Sequence, residues 1–550
     1  MTLIPLRRPL APAVCVAVFS LFPAGAVGLA VNVRDFGAKG DGVAKDTAAV
    51  QAAVEKAAAA GGTVVLSPGS YLCGTIHLRS NLTLRLEQGA RLLASPSDGD
   101  FDAYEALPYR ATAPAKYRPR AILPANLPPV DVRRRSAPAA YDDEETNYFH
   151  YALLAGDGVR NVSIEGPGEI DGNRPRRYGP KPIAFKHSEW ISIRGITVRN
   201  APNYAISLGG TDHVEIDGVN ILNAYADGID PDGCHFVRIV NCYIDSHDDS
   251  ICAKASWALG TPRSTENMVV ANCILRTEAN HIKFGSESAG GFKNVSIANC
   301  VLLDRDQGQV PDSGIALESD DGAHIDGVVI SNISIRNTST PLFIRLGNRG
   351  RGMDHPVPGS IENISIQNVA ATGAFSASSI TGLESAHVRN IMVDGFSVTS
   401  AGGGRARDVD VPELPHRDPD AAMFGTLPAF GFYARHVDGL TLKDLKVHAA
   451  SPDGRSAVVL DDVARVELSG FDSTNVPAAQ PLLLFRNVVG AFLFGNRLSS
   501  PAAIFLALEG ENTRDVGLRG NDLAKARRPV DRSPEVPAPA VLLQDSMGRQ

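Results

Sequence analysis

The sequence predicts an all-β chain, a right-handed parallel β-helix with an N-terminal capping helix, on three observations. A short segment recurs at residues 161–166, 190–195, 213–218 and 236–241, so that Val162, Ile191, Val214 and Val237 stand 29, 23 and 23 residues apart. Further copies centre on Val295, Ile364, Ile391 and Val466. Within each copy apolar and polar residues alternate, the period of a strand with one buried face. The copies turn at Gly or Asn, residues that tolerate left-handed backbone. One such coil cannot bury its apolar face alone, so the coils must stack.

The elements follow in chain order. Arg7 and Arg8 precede an apolar run from Leu10 to Phe22, and Ala24-Gly25-Ala26 follows as a small-residue cleavage site. This pattern reads as a signal peptide over residues 1–26, with cleavage as late as residue 30 the alternative. The run is shorter than the roughly 20 residues a spanning helix needs. The mature protein is therefore expected to be secreted or periplasmic, without a membrane span, and monomeric. Residues 33–42 form a Gly-rich turn segment, and Thr47 to Ala60 is Ala-rich and helical, with Asp46 as its cap and Gly61-Gly62 as its stop. That helix would cover the open strand edges at one end of the solenoid. Residues 108–143, rich in Pro, Arg and Ala, read as a loop packed beside the coils, with Arg133-Arg134-Arg135 as a solvated face. Residues 401–430 are a second insertion. A single β-helix catalytic domain is thus expected over 31–525, with a flexible, Pro-rich tail over 527–550.

A formal net charge of −8 argues against a nucleic-acid-binding face. An acidic substrate stays compatible, because a local basic cleft can sit on an acidic protein. Cys242, Cys273 and Cys300 occur in equivalent places, as Val-Asn-Cys, Ala-Asn-Cys and Ala-Asn-Cys. They read as an inward ladder of buried free thiols, a disulfide being the alternative in an exported chain. No Cys-x-x-Cys pair supports zinc, and no metal or other cofactor is expected.

The chemistry concentrates in two acidic clusters. Ala226-Asp227-Gly228-Ile229-Asp230-Pro231 and His247-Asp248-Asp249-Ser250 place Asp227 and Asp248 21 residues apart, nearly one coil. Stacking would bring Asp227, Asp248 and Asp249 onto one surface. Crowded carboxylates cannot all ionise freely, so one is kept protonated near neutral pH. A proton donor beside an ionised base is what glycosidic bond cleavage needs.

On these residues the chain resembles the polygalacturonase family, glycoside hydrolase family 28, over residues 32–94 and 152 to about 350. The opening Val33-Arg34-Asp35-Phe36-Gly37-Ala38 is similar to that of several pectin-related β-helix families. Ala224 to Pro231 is similar to the family's Asn-Thr-Asp-Gly-Ile-Asp-Pro motif, and His247-Asp248-Asp249 to its Asp-Asp motif. The resemblance implies inverting hydrolysis of a pectic polysaccharide, polygalacturonan or rhamnogalacturonan, without a cofactor. It implies Asp248 as general acid, with Asp227 and Asp249 activating the water. Two departures stand out. The family's Gly-His-Gly becomes Ala279-Asn280-His281 when aligned on Gly285-Ser286, so that Asn280 stands in place of its His and His281 in place of its second Gly, and its Arg-Ile-Lys becomes Ala316-Leu317-Glu318. A charged Glu318 would repel a uronate. Lys254, Lys283, and Arg345 with Arg349 are the candidate replacement cations, and Asn280 and His281 candidate substrate contacts. These changes, with Met423 to Pro428 and Gly431-Phe432-Tyr433, resemble a divergent bacterial branch of the family. The two long insertions would wall off the cleft and favour exo action. Two competing readings are a Ca²⁺-dependent β-helix polysaccharide lyase, with the Asp cluster as oxygen ligands, and a carbohydrate-binding β-helix without catalysis.

Overall fold

The computed structural model describes residues 29–103, 149–305, 308–353, 355–405, 410–474, 480–544 and 546. The expected signal peptide and the 108–143 insertion, Arg133–Arg135 included, lie outside the described residues. Among the described residues no helix is long and apolar enough to cross a membrane.

The chain winds as a parallel β-helix. Each coil adds one strand to each of three parallel ladders. The first ladder runs through Ala152–Asp157, Lys181–Lys186, Ile206–Gly209, Ile229–Asp232, Ile251–Ala255, Asn280–Ser288, Ser313–Ser319 and Thr340–Leu346. The second passes through Arg160–Glu165, Glu189–Arg194, Asp212–Asp217 and His235–Val240. The third passes through Glu169–Asp171, Thr197–Arg199, Asn220–Ala224 and Tyr243–Ser246.

Period-two alternation decides what points inward. On the first ladder Ile183, Ile206, Ile229, Ile251, Ile282, Ile315 and Leu342 stand in register, all buried. The residue after each of these is therefore held on the outer face. The turns stack as well. Asn241, Asn272, Asn299, Asn332 and Asn368 all have φ between 51° and 58°. Their side-chain amides bond from coil to coil at 3.3, 3.3, 3.0 and 2.7 Å. At the start of the second-ladder strands, Trp190, His213 and Phe236 share that left-handed conformation and stack as rings, centroids 4.0 and 4.7 Å apart. Cys242, Cys273 and Cys300 form the expected buried ladder of free thiols, each close to the carbonyl two residues before it.

The helix Thr47–Ala58 buries Val50, Ala53, Val54 and Ala57 against the first coils. Asp46 sits at its N-cap position without capping it. Its carboxylate instead accepts the Lys39 and Gly40 amides at 2.7 and 2.9 Å, pinning the Gly-rich turn. The expected flexible tail is corrected: Ala526–Arg532 and Val541–Gln544 continue the first and second ladders, and Val536 and Ala540 are buried between them. Proline stands here at edges and turns of a last coil, where a missing N–H costs little. The 401–430 insertion starts where the strand Val388–Gly402 ends, and the next strand begins at Ala429. It lies on the outer face of the first ladder, where Met423 packs on Ala316 and Phe343.

Candidate active site

The site occupies the outer face of the first ladder, at the turns that lead into it. Asp227 precedes the strand Ile229–Asp232, and Asp248 and Asp249 precede Ile251–Ala255. Consecutive strand residues would face apart, yet both aspartates reach one cleft, because the chain bends. The Asp248 carbonyl accepts from Ser246 Oγ at 2.7 Å and Thr277 Oγ1 at 2.5 Å, turning the backbone before the strand starts. Asp227, Asp248 and Asp249 then present oxygens all within 4.8 Å of one another.

Each carboxyl has its own surroundings. Asn280 donates its backbone and side-chain amides to Asp249 Oδ1 at 3.0 and 2.7 Å, and Ser313 Oγ donates to Asn280 Oδ1 at 2.6 Å. This leaves Asp249 Oδ2 facing Lys283 Nζ at 3.2 Å. Asp227 lies 3.4 Å from Lys254 Nζ, which also binds Glu287 at 3.1 Å. Burial pushes the Asp227 carboxyl well above its ordinary value, and Asp230 beside it raises it further. Burial likewise lifts Asp230 to about 8. Two buried neighbouring carboxyls cannot both ionise, so this pair keeps a proton at neutral pH. Asp227 can act as a base only while that shared proton rests on Asp230.

Asp248 differs. Burial pushes it up too, but Arg177, which is ion-paired with it, outweighs this together with Lys283 and Lys254 and holds it below the ordinary carboxylate value. Burial works against the Lys254 and Lys283 ammoniums, but the carboxylates beside them keep both charged: Glu287 for the first, Asp249 for the second. Deeper along the face, Lys181 Nζ donates to Ser207 Oγ at 2.9 Å and lies 4.7 and 5.0 Å from the rings of Phe149 and Tyr204. The carboxylates are thus ringed by cations. A metal ion among Asp227, Asp248 and Asp249 would have to displace both lysines. His387, His436 and Asp462 also converge elsewhere in the stack, but at hydrogen-bonding distances of 3.3 and 2.7 Å.

Residues 134–412, half of the chain, match the profile of glycosyl hydrolases family 28. The chain belongs to glycosyl hydrolases family 28, and it is a glycosidase. Residues 30–85 match a second profile, rhamnogalacturonase A/epimerase, pectate lyase-like. A probable polygalacturonase of Vitis vinifera is 27% identical over 395 residues, 67% of this chain and 74% of its own. An exo-poly-alpha-D-galacturonosidase of Dickeya chrysanthemi is 24% identical over 421 residues, 68% of this chain and 69% of its own. Among solved structures, an exopolygalacturonase from Thermotoga maritima shares the fold, with a TM-score of 0.53 at 20% identity, over 68% of this chain and 87% of that one.

Within this family-28 chain the structure redistributes the expected substrate contacts. Lys254, Lys283 and Asn280 stand at the carboxylates. His281 does not, which corrects the expectation. It is fully buried, with Nδ1 3.0 Å from the Ser313 carbonyl and Nε2 2.9 Å from the Leu303 carbonyl. His281 stands at the start of the strand Asn280–Ser288, but its ring is held by carbonyls of the next coil, so alternation from Lys283 does not bring it into the cleft. Arg345 is also corrected. It is wholly buried and donates to the Glu413 and Leu414 carbonyls at 3.1 and 2.9 Å, anchoring the 401–430 insertion. Glu318 does reach toward Lys283, at 4.0 Å, but burial lifts its carboxyl to about 8. It is therefore uncharged at neutral pH and does not repel an anion. Arg177 was missed. Its signal was the basic run Arg174 to Arg177 just before a first-ladder strand.

Proposed function

We propose that this glycosidase is an exported enzyme that hydrolyses pectic polysaccharide, polygalacturonan or rhamnogalacturonan, through Asp227, Asp248 and Asp249. The observation that carries the proposal is three carboxyl groups from adjacent coils, within 4.8 Å of one another and encircled by Arg177, Lys254 and Lys283. Asp248 sits at the open side and protonates the leaving glycosidic oxygen. Asp249, fixed by Asn280, and Asp227 hold the water and accept its proton. The encircling cations suit a sugar acid. The relatives' names, polygalacturonase and exo-poly-alpha-D-galacturonosidase, point the same way. Exo action is supported by the insertion lying across the ladder beyond Lys283.

The carboxyls stand closer than the roughly 6.5–9.5 Å that usually admits a water in inverting enzymes. Inversion therefore rests on the family resemblance, and the anomer of the first product tests it. The decisive experiment incubates the protein with polygalacturonate, rhamnogalacturonan and their oligomers. It follows reducing ends, product mass and, by NMR, product anomer. New reducing ends with inversion and no ultraviolet-absorbing unsaturated product are expected. An unsaturated product that vanishes with chelator would establish the lyase instead, and binding without cleavage would establish the non-catalytic reading.

A further inference from the structure

Arg177 lies in the connection between the strands Glu169–Asp171 and Lys181–Lys186. Its side chain is 32% exposed, and that of its partner Asp248 is 29% exposed. Asp227, Asp249 and Lys254 are almost wholly covered. A sugar arriving from solvent therefore meets the Arg177–Asp248 pair first. Other charged groups face Asp248: Asp227 from the preceding coil, Asp249 beside it, Lys254 and Lys283 from the following strands, and Asp312 from the next turn. Among the described cations, Arg177 is the one within ion-pair distance of Asp248. An acid that must deliver a proton is thus held as a carboxylate by a cation that solvent can reach.

We propose that Arg177 couples the arrival of an anionic sugar to the protonation of Asp248. The sugar's carboxylate takes the guanidinium, and the released Asp248 takes up a proton from solvent. This rests on the hydrolase reading of the same site. The guanidinium fork grips one carboxylate bidentately, so two carboxylates compete for it. The step balances. Asp248 gives its proton to the glycosidic oxygen as the bond to the anomeric carbon breaks. The water oxygen bonds to that carbon, and its proton passes to Asp249 or Asp227 and then to solvent. One water is consumed, one proton is taken up on binding and one is released after cleavage. A neutral sugar leaves Arg177 on Asp248 and the acid empty, so selection for a charged sugar shows in kcat as well as in KM.

The test compares pH profiles of kcat and kcat/KM on oligogalacturonates for wild type, Arg177→Gln and Arg177→Lys. The high-pH limb of kcat/KM reports the acid in the free enzyme, and that of kcat the acid in the complex. In wild type the kcat limb is expected to lie about 1–3 pH units higher, the pull of an arginine on a neighbouring carboxyl. In Arg177→Gln the kcat/KM limb rises and the two merge, while Arg177→Lys keeps them apart. Limbs that coincide in wild type, or stay equally separated in Arg177→Gln, overturn the coupling. Absence of cleavage by wild type on every pectic oligomer overturns the hydrolase reading instead. Should Arg177→Gln fail to fold, calorimetry on Asp249→Asn decides. Oligogalacturonate binding measured in two buffers should show uptake of about one proton at neutral pH, and none overturns the proposal.

Discussion

In its proposed role Asp248 carries two demands that conflict in the free protein: a general acid must hold a proton, and Arg177 favours its loss. Asp227 and Asp230 carry the opposite burden, since burial keeps a proton on the pair that a base must shed. Asp248 and the Asp227–Asp230 pair are thus set apart by their surroundings, not by their chemistry. Asp248→Asn separates the roles. The amide keeps the shape but cannot serve as an acid. Hydrolysis should fall at least about 100-fold, while oligomer binding and the unfolding midpoint persist. Undiminished turnover would remove Asp248 from the acid role. Glu318 shows what a residue's letter conceals: read as a fixed negative charge it repels a uronate, but burial lifts its carboxyl to about 8 and neutralises it in place.

At the scale of elements, the insertion between Gly402 and Ala429 is tied down by side chains that the motif comparison offered to the substrate. The Arg345 side chain holds the Glu413 and Leu414 carbonyls and that of Arg349 reaches Asp418 at 2.7 Å, and beside them the Asn348 backbone N–H donates to the Pro415 carbonyl at 2.7 Å. Met423, packed over Ala316 and Phe343, then closes the ladder beyond Lys283. Removing Arg345 takes a donor from two half-buried carbonyls, of which Leu414's keeps the Arg417 amide, at about 1–3 kcal/mol, and the loss falls on the insertion, not on the coils. Arg345→Met should speed proteolysis within residues 410–424 and shift products from single terminal sugars toward internal cuts. An unchanged product ladder with a loosened insertion would show that this wall does not set the mode of cleavage. The position of Arg345 was open from sequence because strand alternation says which face a side chain takes, but not whether a distant loop covers it. The same limit applies to His281, a strand residue whose ring is covered between the Ser313 and Leu303 carbonyls.

For the whole molecule, most of the solenoid was legible because its repeat is written in the chain: Ile229, Ile251 and Ile282 follow one another at the same depth, and Asn272 and Asn299 mark the same corner. The aspartate clusters were legible for the same reason, since stacking turns a sequence interval into a distance. Arg177 was not, because it comes from a connection outside the repeat. The last coil was not, because Pro529 and Pro534 obscure strands paired in register with Ile504–Leu508 and Val516–Arg519. Stacked coils also bury acids on a scale that sets the pH dependence of the fold. Burial lifts Asp230 and Glu318 to about 8, Asp320 to about 7, and Asp232 and Asp312 to about 6. The folded chain thus keeps protons that the unfolded chain has released above its ordinary carboxyl range, about pH 4. That contribution is fully present below this range and is lost as pH rises through 6 to 8. Glu287, Asp321 and Asp453, held low by arginine and lysine partners that overcome their burial, act in the other direction and only as pH falls below about 4. The unfolding midpoint should therefore peak between about pH 4 and 5 and fall steadily toward pH 8.5. Both carboxyl oxygens of Asp320 and Oε2 of Glu318 are buried without a hydrogen-bond partner, so Asp320→Asn and Glu318→Gln should each flatten that fall. A midpoint that stays level or climbs from pH 5 to 8 in wild type would mean that these acids are not buried uncharged in the folded chain.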